Sequence, residues 1–557
     1  MKKKISLLLC AGLVAAALAG CGGSGSSGGA EGESAQSQAA ESSTEGNVLV
    51  YAMDQEPETL DPTMNNYSRS SNVLQNLFSG LFRMEADGSL SNALCEDYTV
   101  SEDGLTYTFT LKDGMKWSDG SDLTAQDFVY SWLRVLNPET ASPASWELYY
   151  IQGAEEYNTG GGSAEDVAVK AVDDKTLEVV LTYDCPYFLE IAAFPATFPV
   201  RQDMVEGNDE WTYDVSTYVG NGPYKMAEWS HNAYILAEKN ENYYDYENLG
   251  PDTIRFTLLD DANAMLAAYN SGELDFIENF PTDEMANYLA SGEITVADYL
   301  GTYYVCFNTE DEVFSDPLVR EAFSLAIDRN YIVENVSQAG EVPATAYVPS
   351  GVNDAAGPSG DDFRTVGGEY YSVAAEDYEA NCEKARELLA EAGYPNGEGF
   401  PTVEYTYNTD DKHKAIAEAL QNMWQEVLGV TVTLSNQDWN VFLESRKQGD
   451  YQIARNGWIA DYNDPCSFLD MWYTDGGNND AQYSNPEYDA LIDQAKATSN
   501  QEERMAAFHA AEDILIEQDS VLAPIYFYTQ PYMLADDIQG MYYTPLGYFF
   551  FGYTNQG

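Results

Sequence analysis

Histidine is scarce in this 557-residue chain: His231, His413 and His509 are the whole set, and none is near another at a metal-site spacing such as H-E-x-x-H. Cations are thin as well. Twenty-six Lys plus Arg face 92 Asp plus Glu, a formal charge of −66. A field of that sign repels nucleic acid and anionic lipid, and so argues against both as partners. Beyond Cys10 and Cys21 only Cys95, Cys185, Cys306, Cys382 and Cys466 remain, an odd number with no C-x-x-C spacing. That argues against a disulfide framework or a zinc ribbon, and leaves isolated buried thiols as the expectation. A Walker loop, an EF-hand loop and a Cys/His nucleophile pattern are all missing. Paired carboxylates of the glycosidase kind carry no information here, because 92 acids guarantee a pair somewhere. No cofactor, no metal and no enzymatic activity are expected.

What is present in quantity is aromatic surface: 13% of the chain, including 42 Tyr, enough for several cores and an aromatic-lined cleft. The length requires two or three domains. Residues 1–20 read as a secretion signal, with Lys2-Lys3-Lys4 followed by an apolar run from Ile5 to Leu18 too short to span a bilayer convincingly. Leu18-Ala19-Gly20-Cys21 resembles a bacterial lipobox, which would make Cys21 the lipidated first residue of the mature protein. Two acyl chains, at roughly 0.8 kcal/mol per buried methylene, hold a soluble domain stably at a membrane. Gly22 to Gly46 contains no aromatic and no aliphatic larger than Ala, the composition of a flexible tether, so 21–46 is read as a lipid-anchored linker. Gly25-Ser26-Ser27-Gly28-Gly29 matches the hydrolase pattern G-x-S-x-G, but no strand precedes it and no helix follows.

Along the mature chain, Val48 to Tyr51 predicts a strand and Glu56-Pro57-Glu58-Thr59-Leu60-Asp61-Pro62 a turn. Thr106 to Leu111 alternates as a strand, with a hairpin expected at Asp113-Gly114. Thr124 and Asp127 have capping-box spacing for a helix to Leu136. Asp316-Pro317 starts another helix, Glu383 to Ala392 reads as a third and Ala415 to Leu428 as a fourth, with the strand Gly429 to Leu434 after it. Strand and helix patterns alternate through the second half, which is α/β grammar.

The stretch Ile453 to Leu469, Ile-Ala-Arg-Asn-Gly-Trp-Ile-Ala-Asp-Tyr-Asn-Asp-Pro-Cys-Ser-Phe-Leu, puts a cation, an aromatic and a carboxylate at a strand-to-loop edge. Two readings of Asp461 stand side by side. It is either an Asx-turn residue capping a surface loop, or a carboxylate held between Trp458 and Tyr462 to grip a ligand ammonium. Arg-x-Gly-Trp-x-Ala-Asp-Tyr-x-x-Pro, preceded by Asp438-Trp439 and Arg446, resembles the most distinctive block of the oligopeptide-binding proteins of ABC importers, solute-binding family 5. Further blocks are similar in the same order: Lys116-Trp117-Ser118-Asp119-Gly120 with Thr124 to Phe128, Asn221-Gly222-Pro223-Tyr224, Gly272-Glu273-Leu274-Asp275, and Thr302 to Asn308.

The resemblance implies an α/β, two-lobed periplasmic-binding-protein-like fold of type II with an extra β-rich subdomain. It places lobe I at 47–78, 200–300 and 521–557, the β-rich subdomain at 79–199, and lobe II at 301–520, with two crossing strands near residues 300 and 520. It implies an extended oligopeptide bound between the lobes, delivery to ABC permease subunits in the membrane, and a monomer outside the cytoplasm, lipid-anchored to the outer face of the bacterial cytoplasmic membrane. Carried over by position, Asp461 would pair with the peptide α-ammonium, and Trp458, Gly457 and Trp439 would line pockets. Tyr299 and Tyr304 would wall the cleft, and Arg455, Arg446 or His413 would neutralise the carboxylate. Ser337-Gln338-Ala339 stands where some relatives offer a lysine, which leaves peptide length open. The same fold would also accommodate a nickel chelate, haem or an oligosaccharide. A secreted hydrolase is the reading from another class.

Overall fold

A computed structural model describes residues 47–65 and 67–556, apart from the side chains of Thr282, Asp283 and Gln556. The expected signal sequence, Cys21 and the expected linker lie outside the described residues. The described chain is organised around an 11-stranded sheet. Its middle is a pair of antiparallel 13-residue strands, Thr295–Phe307 and Leu522–Leu534. On one side of this pair lie Ile453–Ile459, Val403–Asn408 and Val432–Gln437; on the other lie Phe276–Ile277, Val48–Met53, Thr253–Leu258, Tyr234–Lys239 and Tyr224–Ser230. Each long strand is therefore shared by both halves of the sheet. The register between them shifts at Asp298/Thr302 and again at Tyr303/Tyr304.

The far half follows parallel-sheet rules. Val403–Asn408 runs parallel to Val432–Gln437, so the chain must cross over, and it does so through the helix Asp411–Leu428. Asp410 caps that helix by accepting from the His413 N–H at 2.9 Å, and Gly429 ends it with φ of 72°. Ile416, Leu420, Trp424 and Leu428 recur every fourth residue and are buried, giving the helix one apolar face against the sheet.

A separate four-stranded antiparallel sheet has the order Cys95–Val100, Thr106–Leu111, Thr176–Val180, Val169–Asp173. The helix Ala125–Leu136 packs on it through Phe128, Trp132 and Val135, and begins with the expected capping box, Thr124 N–H donating to Asp127 Oδ2 at 2.7 Å. The hairpin expected at Asp113-Gly114 does not form. Thr106–Leu111 pairs instead with the strand before it and with Thr176–Val180, which occupies the edge that a following strand would need. Helix limits also move: Tyr378–Glu391 starts five residues before the predicted Glu383, because the alternation of apolar residues is too weak there to mark the first turn. Cys95, Cys185, Cys306, Cys382 and Cys466 are all buried and free.

Candidate functional site

The strand Ile453–Ile459 pairs antiparallel with Thr295–Phe307, setting Arg455 opposite Val305, Gly457 opposite Tyr303 and Trp458 opposite Thr302. Side chains alternate along a strand, so Arg455 and Gly457 share the face of Tyr303, and Trp458 points the other way. Gly457 is required by its neighbour: a Cβ there would run into the Tyr528 hydroxyl, which reaches across the strand.

Beyond Ile459 the chain leaves the sheet, and Ala460 N–H donates to the Leu300 carbonyl at 2.7 Å. The loop that follows is fixed by Asp464. Its carboxylate accepts from the Cys466 N–H at 2.9 Å and from both terminal nitrogens of Arg504 at 2.6 Å each, and both side chains are almost fully buried. Tyr462 is clamped against the β-rich region, stacked on Tyr187 at 4.1 Å and with its hydroxyl 2.9 Å from that of Tyr150.

Asp461, one residue before Tyr462, does not take part in this framework. Its N–H donates to Ser467 Oγ at 3.0 Å, and its carboxylate meets the same hydroxyl only at 3.4 Å. Asp464 is the turn-capping aspartate, which weighs against the capping reading of Asp461. Burial pushes the Asp461 carboxyl up to about 7, against the smaller opposing effect of Ser467. Nearby is an acid the sequence did not single out. Glu147, in the short turn Ser145–Leu148, is 1% exposed, and neither carboxylate oxygen has a hydrogen-bond partner among the described residues. Burial and then the charge of Asp461 raise its pKa well above the carboxylate range.

A row of tyrosines leads from these acids to Arg455. The Tyr548 phenol, raised chiefly by burial, feels Asp461, Tyr299 and Glu147. Tyr299 lies 6.1 Å from Tyr528, ring to ring, and Tyr528 lies 6.3 Å from Tyr303. The Arg455 guanidinium is 5.2 Å from the centre of the Tyr303 ring. Tyrosines are its main electrostatic neighbours, and its Nε has no hydrogen-bond partner among the described residues.

The other two cation candidates differ. Arg446 sits by Asp480, Nε to Oδ2 at 3.4 Å, and donates to Asn456 Oδ1, so its charge is already matched. His413 Nδ1 lies 3.3 Å from the Tyr303 hydroxyl; burial, then the charge of Arg455, push the imidazole down to about 3, so it is neutral at physiological pH. Its neighbour Lys412, which sequence reading passed over, is bound by the buried Glu341 at 2.5 Å. The Ser337 hydroxyl and the Ala339 N–H also donate to Glu341.

Tyr304 is a core residue here. It is fully buried, with its ring 5.4 Å from Tyr347 and 5.8 Å from Trp472, and its neighbour Tyr303, equally buried, lies on the Arg455 face of the strand. The two tyrosines are adjacent on one strand and face opposite ways, each into the core on its own side of the sheet. Trp439 is 47% exposed, resting on Phe442 at the start of the helix Trp439–Lys447, and is not enclosed in a pocket. Trp458 is half-buried, and its indole N–H has no acceptor among the described residues.

A cavity of about 320 Å³ lies beside the Asp461 loop, lined in part by Asp298, Leu300, Asn353, Asn463 and Tyr543. Another concavity, about 950 Å³, lies elsewhere and contains none of these site residues. It is an open surface trough whose cation, Arg134, is bound to Asp61 at 2.7 Å.

The chain as a whole is similar to known proteins. A family profile described as bacterial extracellular solute-binding proteins, family 5 middle, matches residues 89–480. The oligopeptide-binding protein OppA of Bacillus subtilis (strain 168) is 36% identical over 547 residues, covering 97% of each chain. Among solved structures, Haemophilus influenzae OppA in complex with the peptide RPPGFSPFR aligns with a TM-score of 0.78 at 30% identity, covering 92% of this chain and 99% of that one. The unliganded open form of the murein tripeptide-binding protein MppA aligns at 0.73 with 32% identity, covering 92% and 98%. With the two-lobed architecture, the profile match and these relatives together, the chain belongs to the family 5 bacterial extracellular solute-binding proteins, a family of binding proteins and not of enzymes.

Proposed function

We propose that the protein captures oligopeptides between its two lobes outside the cytoplasm and delivers them to the membrane permease of an ABC importer. The observation that carries this reading is the pair of unmatched charges at the two ends of the tyrosine row: Asp461, left out of the turn that Asp464 makes, and Arg455, with no acidic partner among the described residues. A peptide supplies the complementary pair, an ammonium and a carboxylate, on every member of its class. Asp461 takes the ammonium and Arg455 the carboxylate, and both bonds gain strength because the two side chains are half-buried. Tyrosine faces line the space between, where they accept many side chains without demanding one. An oligosaccharide offers no use for either charge.

The protein is held at the outer face of the cytoplasmic membrane by lipid on Cys21 and acts as a monomer. No helix among the described residues is long and apolar enough to cross a membrane. Mass spectrometry of the protein extracted from its own membranes tests both statements. Under native conditions it should carry a mixture of peptide adducts, and the N-terminal fragment should begin at a diacylglyceryl-modified Cys21. A uniform non-peptide adduct would overturn the ligand, and an unmodified Cys21 would overturn the anchor.

A further inference from the structure

Glu147 has no role in the pairing of one ammonium with one aspartate, yet its carboxyl is 1% exposed with both oxygens unsatisfied. Buried polar atoms are nearly always satisfied, so an acid left this way is waiting for a partner that the protein does not supply. The Tyr150 hydroxyl, three residues beyond Glu147, lies 2.9 Å from that of Tyr462, the neighbour of Asp461, so the Glu147 turn and the Asp461 loop pack side by side, and the charge of Asp461 acts on Glu147 across the space between them. The elements packed around the Glu147 turn offer no cation to that space. Helix Ala125–Leu136 carries Arg134, which is bound to Asp61, and Asp127, which caps its own helix; Glu155 and Glu156 of the next short helix are exposed.

We propose that Glu147 and Asp461 together form a two-carboxylate subsite that selects peptides whose first residue carries a second positive charge. This rests on the reading of Asp461 as the partner of the α-ammonium. With a neutral first side chain, one positive charge enters: Asp461 is ionised and Glu147 keeps its proton. With lysine first, the side-chain ammonium takes the place of that proton, and Glu147 releases it to solvent as it becomes the second anion. Charge balances in both cases. The number of protons released is therefore a direct reading of whether Glu147 meets the side chain.

The test is calorimetry at pH 7 in buffers of different ionisation enthalpy, which counts protons, with Lys-Ala-Ala and its near-isostere norleucine-Ala-Ala. Binding of the lysine peptide should release about one proton more than binding of the norleucine peptide, and should be tighter by tenfold or more. In Glu147→Gln the excess proton and the preference should both vanish, while norleucine-Ala-Ala binds as before, which also shows that the variant is folded. Equal proton release by the two peptides on the unmodified protein overturns the proposal without any variant. So does a Glu147→Gln protein that keeps the preference. N-acetyl-norleucine-Ala-Ala separates the two readings: if it binds as well as the free peptide, the ammonium assignment itself fails, whatever Glu147 does.

Discussion

Asp461 and Asp464 stand three residues apart in one loop and have opposite duties. Asp464 is consumed by a bidentate arginine and a backbone N–H, whereas Asp461 is half-buried, its carboxylate making one long contact to Ser467. Only a structure separates them, because Asp-Tyr-Asn-Asp-Pro offers two aspartates to the same turn. The unpaired state has a pH signature. An unfolded aspartate titrates near 4, and the folded one is pushed up to about 7, so between those values the folded protein holds a proton that the unfolded chain has lost. The empty protein consequently loses stability as pH rises through that window, the reverse of a salt-bridged aspartate. A bound ammonium favours the ionised form, so peptide affinity should climb from pH 5 to pH 7 by up to about tenfold per unit and then level off. Titration of one peptide across that range checks it. A flat profile would mean that Asp461 is already ionised in the empty site or is not at the ammonium. At the same scale, Arg446 and Arg455 look alike in sequence and differ only in whether an acid folds against them, and His413 is pushed toward its neutral form first by burial and then by the charge of Arg455.

At the scale of elements, the chemistry of the Arg455–Tyr462 segment was legible because it is local: strand alternation ends, glycine and proline break the pattern, and cation, aromatic and acid lie within eight residues. Glu147 was not legible. It lies in Ala-Ser-Trp-Glu-Leu, where nothing marks burial, and it meets Asp461 only because the β-rich region folds against the loop. The βαβ crossover and the helix caps were legible for the same local reasons, while the failed hairpin at Asp113-Gly114 shows a long-range strand taking an edge that turn chemistry had promised to a neighbour. The Asp464–Arg504 pair carries the loop's geometry. Removing one partner of a buried pair leaves an uncompensated charge and costs about 3–5 kcal/mol. Asp464→Ala should therefore lower stability by that amount in urea denaturation and weaken peptide binding through a loosened loop. Unchanged stability would show that Arg504 finds another partner.

At the scale of the whole molecule, the two 13-residue strands are shared between the halves of the sheet, and their register breaks near Asp298 to Tyr304 give the shared ribbon its irregular middle. The structural likeness is 0.78 to a peptide complex and 0.73 to an unliganded open form. Tyr462 packs on Tyr187 and Tyr150. Hinge closure follows as a proposal: the peptide-free protein should be more extended in solution, and peptide should contract it. Small-angle scattering with and without peptide reads this, and an unchanged radius of gyration would contradict it. The net charge of −66 is a property at this scale too, and nothing in the site explains its size.

The central claim is that Asp461 holds the peptide ammonium, and a four-way binding cycle tests it most directly. Free and N-acetylated forms of one peptide are titrated by calorimetry into the unmodified protein and into Asp461→Asn. Removing one partner of a desolvated charge pair costs about 2–5 kcal/mol, roughly 30-fold to several thousand-fold in affinity. Acetylation and the substitution should each cost that much alone and little more together, since either one already abolishes the same interaction. If acetylated and free peptides bind the unmodified protein equally well, or if the two losses simply add, Asp461 does not hold the ammonium.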